Sequence, residues 1–234
     1  MPRRARAAAG GIVYHVLNRA VGRMRLFARD PDYQAFQRTL EQAHQRHPIR
    51  ILSYCVMPNH FHLVLWPKND GDLSRFMFWL TMTHAQRWRT AHHAVGLGPL
   101  YQGRFKAFPV QSDEHLRTVC RYVERNPLRA KLVERAQHWQ WCSLWRRLHP
   151  TDQQHELLST WPVDEPSDWL QWVNAPQTPA ELEALRTSLR RGRPFGQDRW
   201  QQATARRLGL ESSFRPPHRP RTSKPEAKKG NTPA

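Results

Sequence analysis

A chain of 234 residues and 27.6 kDa accommodates one large domain, or one domain of about 150 residues with a smaller appendage. With 37 Lys plus Arg against 19 Asp plus Glu, the formal charge is +18, which sets aside an ordinary metabolic enzyme and points to a polyanionic partner, nucleic acid first. Three scattered cysteines, Cys55, Cys120 and Cys142, exclude a disulfide framework and a paired-cysteine zinc ribbon, and without a GxxxxGKS/T or GxGxxG loop the chemistry must run without ATP or another nucleotide cofactor.

From the N-terminus, Met1 to Gly10 is basic but is followed by no apolar leader, and no run approaches the roughly 18 apolar residues of a spanning helix, so the expectation is a cytoplasmic, nucleoid-associated chain with no membrane partner. Ile12 to Ala20 follows Gly10-Gly11 and alternates β-branched and aromatic residues, predicting a strand. Asp30 is the expected N-cap, and Pro31 the first residue, of a helix reaching about His47. Ile49 to Met57 and His60 to Trp66 flank the turn signal Pro58-Asn59 and predict a hairpin. A helix from Leu73 to His92 follows, with Asp72 as its expected cap. Phe105 to Val110 makes a fourth strand, in which Pro109 marks an edge or a bulge. Asp113 caps a helix to about Arg125, where Asn126-Pro127 breaks or restarts it. The order β-α-β-β-α-β-α predicts an α+β fold: a ferredoxin-like split βαβ antiparallel sheet with helices on one face and an extra helix after the last strand.

Six of the ten tryptophans, Trp139, Trp141, Trp145, Trp161, Trp169 and Trp172, then crowd into 34 residues, predicting a small helical C-terminal lobe of which they form the packing seam. Thr178-Pro179-Ala180-Glu181 has the form of a capping box, Gly192 is a helix stop, and Asp198 to Leu208 is a basic helix ended by Gly209. From Glu211 onward, five prolines and six Lys or Arg without apolar periodicity predict a disordered, phosphate-adhesive tail. The expected division is therefore 1–140 for the sheet domain, 141–210 for the lobe and 211–234 for the tail.

His60 and His62 stand two apart in a strand, so alternation turns both imidazoles to one face; they read either as metal ligands or as hydrogen-bonded histidines on an open sheet. Tyr122 and Asn126, four apart on a helical path, share a surface and read either as a nucleophile beside a carbonyl oxygen, or as a core aromatic and an N-cap before Pro127. Arg121 and Arg125 are in the neighbourhood of the phenol. His15 can share the sheet face of the histidine pair if the strands are adjacent, and His115, seven residues before Tyr122, falls on the same helical face.

The run from Leu52 to Val64 (LSYCVMPNHFHLV), then Gly103-Arg104-Phe105, then Arg121 to Pro127 (RYVERNP), resembles the single-tyrosine HUH transposases, and most closely the bacterial REP-associated tyrosine transposases. The similarity spans roughly residues 12–145, with a further likeness in the stretches 191–196 and 204–210. It implies a metal-dependent enzyme that nicks and rejoins single-stranded DNA at palindromic repeat hairpins. Tyr122 would be the nucleophile, forming a 5′-phosphotyrosine, with His60, His62 and Asn126 holding a divalent Mg or Mn ion. A phenol, with an ordinary pKa of about 10, needs a metal, a base or nearby cations to attack at neutral pH. The resemblance also implies a monomer. Arg3, Arg4, Arg6, Arg19, Arg23, Arg104 and Lys106 are the expected phosphate contacts, with Trp66 and Tyr101 as stacking platforms. Two competing readings are a transposase-derived protein that grips hairpins without cleaving them, and a zinc-stabilised RNA-binding domain, which lacks four closed ligands.

Overall fold

The computed structural model describes residues 8–150 and 157–215. Strands β1 (Val13–Arg19), β2 (Arg50–Met57), β3 (His60–Trp66) and β4 (Lys106–Val110) form one antiparallel sheet in the order β2-β3-β1-β4. Helix α1 (Asp30–Arg46) leads out of β1, and α2 (Asp72–Ala91) out of β3, which is the ferredoxin-like α+β arrangement. Residue alternation divides the strands between two cores. Tyr14, Val16, Tyr54, Val56, Phe61, Leu63 and Leu65 meet Phe36 and Leu40 of α1 and Phe76 and Leu80 of α2 on one side. The opposite side carries Val13, Val64, Phe108 and Val110, covered by Leu116, Val119 and Val123 of α3 (Glu114–Glu124). The two helices of the split βαβ unit thus share one face, and the extra helix takes the other.

Short α4 (Asn126–Arg129), α5 (Ser143–Leu148), α6 (Trp169–Asn174) and α7 (Pro179–Arg191) lie on the α3 side as part of the C-terminal lobe, and α8 (Asp198–Leu208) follows with Leu208 packed against the core of the opposite face. Trp139, Trp161 and Trp169 form the seam of the lobe: the indoles of Trp139 and Trp161 donate to the carbonyls of Val56 and Leu52 at 2.9 and 2.8 Å, and Trp169 donates to the Glu124 carboxylate at 2.9 Å. Trp141 departs from the expected seam and stacks on Tyr33 of α1, with ring centres 4.8 Å apart, in the core of the opposite face. Glu124 is fully buried and also accepts from Arg147 at 2.6 Å and Ser53 at 3.1 Å, so one carboxylate ties α3, β2, α5 and α6 together. Thr178 and Glu181 exchange the two bonds of a capping box at 3.2 and 2.7 Å. Gly192 ends α7 at a φ of 71°, which a side chain would strain.

Local expectations need adjustment at several ends. Asp30 is the first residue of α1 and not its cap; Asp32, inside the first turn, accepts the N–H groups of Ala28 and Arg29 at 2.9 and 3.1 Å and does the capping. Asp72 likewise opens α2 after Gly71, and its carboxylate accepts from the N–H of Asn69 at 2.7 Å. Pro109 lies on the sheet edge, as expected, and its carbonyl accepts from Phe195 N–H at 2.8 Å, so the lobe covers the edge that a proline leaves. The first residues of the expected disordered tail are ordered: Glu211–Phe214 is a 3₁₀ turn with Phe214 under the Arg193 guanidinium at 4.2 Å, because an aromatic packs there. The remainder of that tail, 216–234, lies outside the described residues.

Candidate active site

Because β1 runs between β3 and β4, its side chains reach the histidine pair. Arg19 stands opposite His60 and Leu17 opposite His62, while on the other side Leu17 meets Lys106 and His15 meets Phe108. His15, Leu17 and Arg19 point to the face that carries His60 and His62. The His60 Nδ1 lies 2.6 Å from the Asn59 Oδ1, an acceptor, so Nδ1 carries the hydrogen and the Nε2 lone pair is left free. His62 Nδ1 and His15 Nε2 share a hydrogen bond of 2.8 Å, and both rings are buried. His15 is therefore a buried hydrogen-bonded residue of the site. Burial, reinforced by the charges of Arg19 and Arg129, lowers the His60 pKa to about 3. Burial first, then His60, does the same for His15, and His62 is held well below the ordinary imidazole range by burial and its neighbours. At neutral pH all three rings are uncharged, the state in which an imidazole offers a lone pair to a cation.

Helix α3 lays Tyr122 over this face. The Tyr122 ring is 5.8 Å from that of His62 and 6.2 Å from that of His15, edge-on to both. Asn126 does not cap a new helix. Arg125 keeps helical angles, and the bonds Arg125 N–H to Arg121 O, Arg129 N–H to Arg125 O and Ala130 N–H to Asn126 O are each 2.9 Å, so the path continues through Pro127. Pro127 only removes one donor. Tyr122 and Asn126 are therefore one true turn apart. The Asn126 Oδ1 accepts from Arg129 at 2.8 Å, and its buried Nδ2 has no partner.

The donor set fits a divalent cation: two neutral imidazoles, one with its tautomer set by an amide oxygen, and an amide oxygen with a second lone pair. The carboxylates of Asp113 and Glu114 with His115 form a separate cluster within 4.8 Å at the start of α3. There Asp113 accepts the N–H of His115 at 2.9 Å as the helix cap and lies 2.8 Å from its Nδ1, and the His115 ring packs on Phe195, so this histidine belongs to the cap and the lobe contact.

Of the expected phosphate contacts, Arg3, Arg4 and Arg6 lie outside the described residues. Arg19 stands opposite His60 and Lys106 opposite Leu17, the Arg23 carbonyl accepts from the Asn59 side-chain amide at 3.4 Å, and Arg104 is exposed two residues before Lys106. Arg121 and Arg125 do not face the phenol. Arg121 donates to the carbonyls of Ala175 and Pro176 at 2.8 and 3.1 Å, and Arg125 to those of Val173 and Asn174, so both hold the lobe. Tyr101 is no stacking platform, being buried with its hydroxyl 2.6 Å from His84, and Trp66 is half-buried beneath the Arg50 guanidinium at 3.1 Å.

The cation that does sit on the phenol is Arg129, 4.1 Å over the Tyr122 ring. Its spacing of seven residues, two helical turns, was the available signal, hidden because Asn126-Pro127 reads as a break. Among the described residues, no helix is long and apolar enough to cross a membrane.

The chain is similar to known proteins in sequence and in fold. The profile of the transposases described as IS200-like matches residues 9–126, half of the chain, from the first strand to Asn126. A REP-associated tyrosine transposase of Escherichia coli (strain K12) is 25% identical over 153 residues, covering 61% of this chain and 84% of its own. The solved structure of a REP-associated tyrosine transposase bound to a REP hairpin has the same fold, with a TM-score of 0.50 and 21% identity over 71% of this chain and 94% of that one.

Proposed function

Since the chain belongs to the IS200-like transposases, we propose that it nicks and rejoins single-stranded DNA at REP-type palindromic hairpins through a covalent 5′-phosphotyrosine on Tyr122. The observation that carries the reading is the Tyr122 ring set edge-on against the uncharged His62 of the histidine pair, with a guanidinium over its face. The phenol gives up its proton, its oxygen bonds phosphorus in line, and the P–O3′ bond breaks to leave a 3′-hydroxyl. Attack of a 3′-hydroxyl on the phosphotyrosine reverses these steps, and the energy of the original phosphodiester is kept, in accord with the missing nucleotide-binding loops. His60, His62 and Asn126 would hold the divalent ion, Mg or Mn, which when bound polarises the scissile phosphate.

Arg19, Arg23, Arg104 and Lys106 bind flanking phosphates, joined by Arg3, Arg4 and Arg6. The hairpin as partner is supported by the similar fold seen bound to a REP hairpin, together with the relative from Escherichia coli. The protein acts as a monomer on nucleoid DNA: Arg121, Glu124 and Arg125 fasten the tyrosine helix to this chain's own lobe, which supports attack on DNA bound by the same protomer.

The test incubates the protein and Tyr122→Phe with end-labelled hairpin oligonucleotides from the genome's own repeats, in Mn or in EDTA, on denaturing gels. A metal-dependent, protein-linked 5′ product that vanishes in the variant is expected. Tight hairpin binding without an adduct under any metal would leave a non-catalytic DNA-binding protein instead.

A further inference from the structure

The buried and half-buried arginines of this protein divide by what they hold. Arg147 and Arg146 face Glu124 and Glu41 at 2.6 Å, and Arg121 has two carbonyls and Glu181 at 3.7 Å. Arg121 and Arg146 each keep one unpaired nitrogen, but a carboxylate already balances each charge. Arg19 and Arg129 differ. Among the described residues, neither has a carboxylate within ion-pair distance, and each keeps a buried nitrogen without a partner, Nε of Arg19 and Nη1 of Arg129. A buried donor of a charged group left unpaired is costly, so its persistence beside a nucleophile calls for an anion. Among the described residues the groups of the site are imidazoles, an amide and a phenol, none of them an anion, and the carboxylate two residues after Tyr122, Glu124, is consumed by Arg147, Trp169 and Ser53. Arg129 is also held in place, with Nη2 on the Asn126 Oδ1 at 2.8 Å and its carbon over the Tyr122 ring at 4.1 Å, while its buried Nη1 has no partner.

We propose that Arg129 is a catalytic residue of this chain, its Nη1 donating to a non-bridging oxygen of the phosphodiester that Tyr122 attacks, with Arg19 facing the same phosphate group from β1. The assignment rests on the proposed cleavage reaction for the identity of that phosphate. A fixed guanidinium stacked on the phenol positions nucleophile and electrophile with one side chain, which a flexible ammonium cannot reproduce.

The experiment measures binding in EDTA, in a Tyr122→Phe background, to hairpin oligonucleotides in which a neutral methylphosphonate is walked one position at a time along the single-stranded flank. With Arg129 present, one position should weaken binding by about tenfold or more, the loss expected of a charge-assisted hydrogen bond. In Arg129→Gln that discrimination should fall severalfold, leaving only the share that Arg19 contributes, and Arg129→Lys should restore only part of what is lost; melting curves confirm that the variants are folded. Full discrimination by folded Arg129→Gln overturns the proposal, whether or not the Tyr122 protein forms an adduct. Discrimination reduced severalfold in Arg129→Gln supports the clamp even if no adduct is found, and in that outcome it is the cleavage reading alone that falls.

Discussion

The two faces of the sheet are made from the same strands and have opposite characters. Toward α1 and α2 the side chains are aromatic and aliphatic, as where Phe61 meets Phe36 with ring centres 4.8 Å apart. Toward α3 the face is graded along its length: Val13, Val64, Phe108 and Val110 are apolar at one end, and His15, His62, His60 and Arg19 follow at the other. A sheet that alternates can therefore anchor itself on one side and keep a polar, unsaturated site on the other. The stability of the first face, and the Glu124 network beneath the second, allow unpaired donors to stay near Tyr122.

Neighbouring residues on opposite faces give the sharpest contrast. Phe61→Ala should cost about 3–5 kcal/mol of unfolding free energy in denaturant titrations. His62→Ala should cost about 1–3 kcal/mol, chiefly the stranded His15 nitrogen, while abolishing the adduct. Equal losses in the two variants would break the distinction. Glu124→Ala, which leaves Arg147 buried without its carboxylate, should destabilise by about 3–5 kcal/mol, and it should loosen the lobe in hydrogen exchange at α6. A protein as stable as the parent would show that the network does not carry the second face.

His84 sharpens the comparison from the apolar side. Burial, partly offset by Asp32 and reinforced by His92 and Arg87, lowers its pKa to about 3, and its Nδ1 faces the Tyr101 hydroxyl at 2.6 Å. The unfolded chain takes up a proton here below about pH 6.5 and the folded chain does not, so this stability is complete above that pH and declines on acidification toward pH 3. The decline should reach about 1.4 kcal/mol per pH unit, and His84→Gln should remove one proton from the slope of melting free energy between pH 6.5 and 4. An unchanged slope would mean that water reaches the ring. The smallest effect is expected farthest from both faces: Thr178→Ala should cost about 1 kcal/mol by removing the α7 capping box, with adduct formation intact.

Much of this was legible from residue order. Alternation turns His60 and His62 to one side, the hairpin follows from Pro58-Asn59, and Thr178 to Glu181 announces a helix start, because such features depend on a few adjacent residues and the backbone's own periods. The arginines show the limit. Arg121, Arg125 and Arg129 recur at four-residue spacing on one helical path, yet the first two bind lobe carbonyls some fifty positions away and only the third covers the phenol.

The order of elements, the paired histidines and the tyrosine with its asparagine were thus determined by sequence alone. Tertiary structure decided that β1 lies between β3 and β4, bringing His15 and Arg19 to the pair, that the tyrosine helix crosses that face, and which cations remain unpaired. Strand neighbours and the partners of long side chains come from packing between distant segments, and local periodicity carries no record of which segment will arrive.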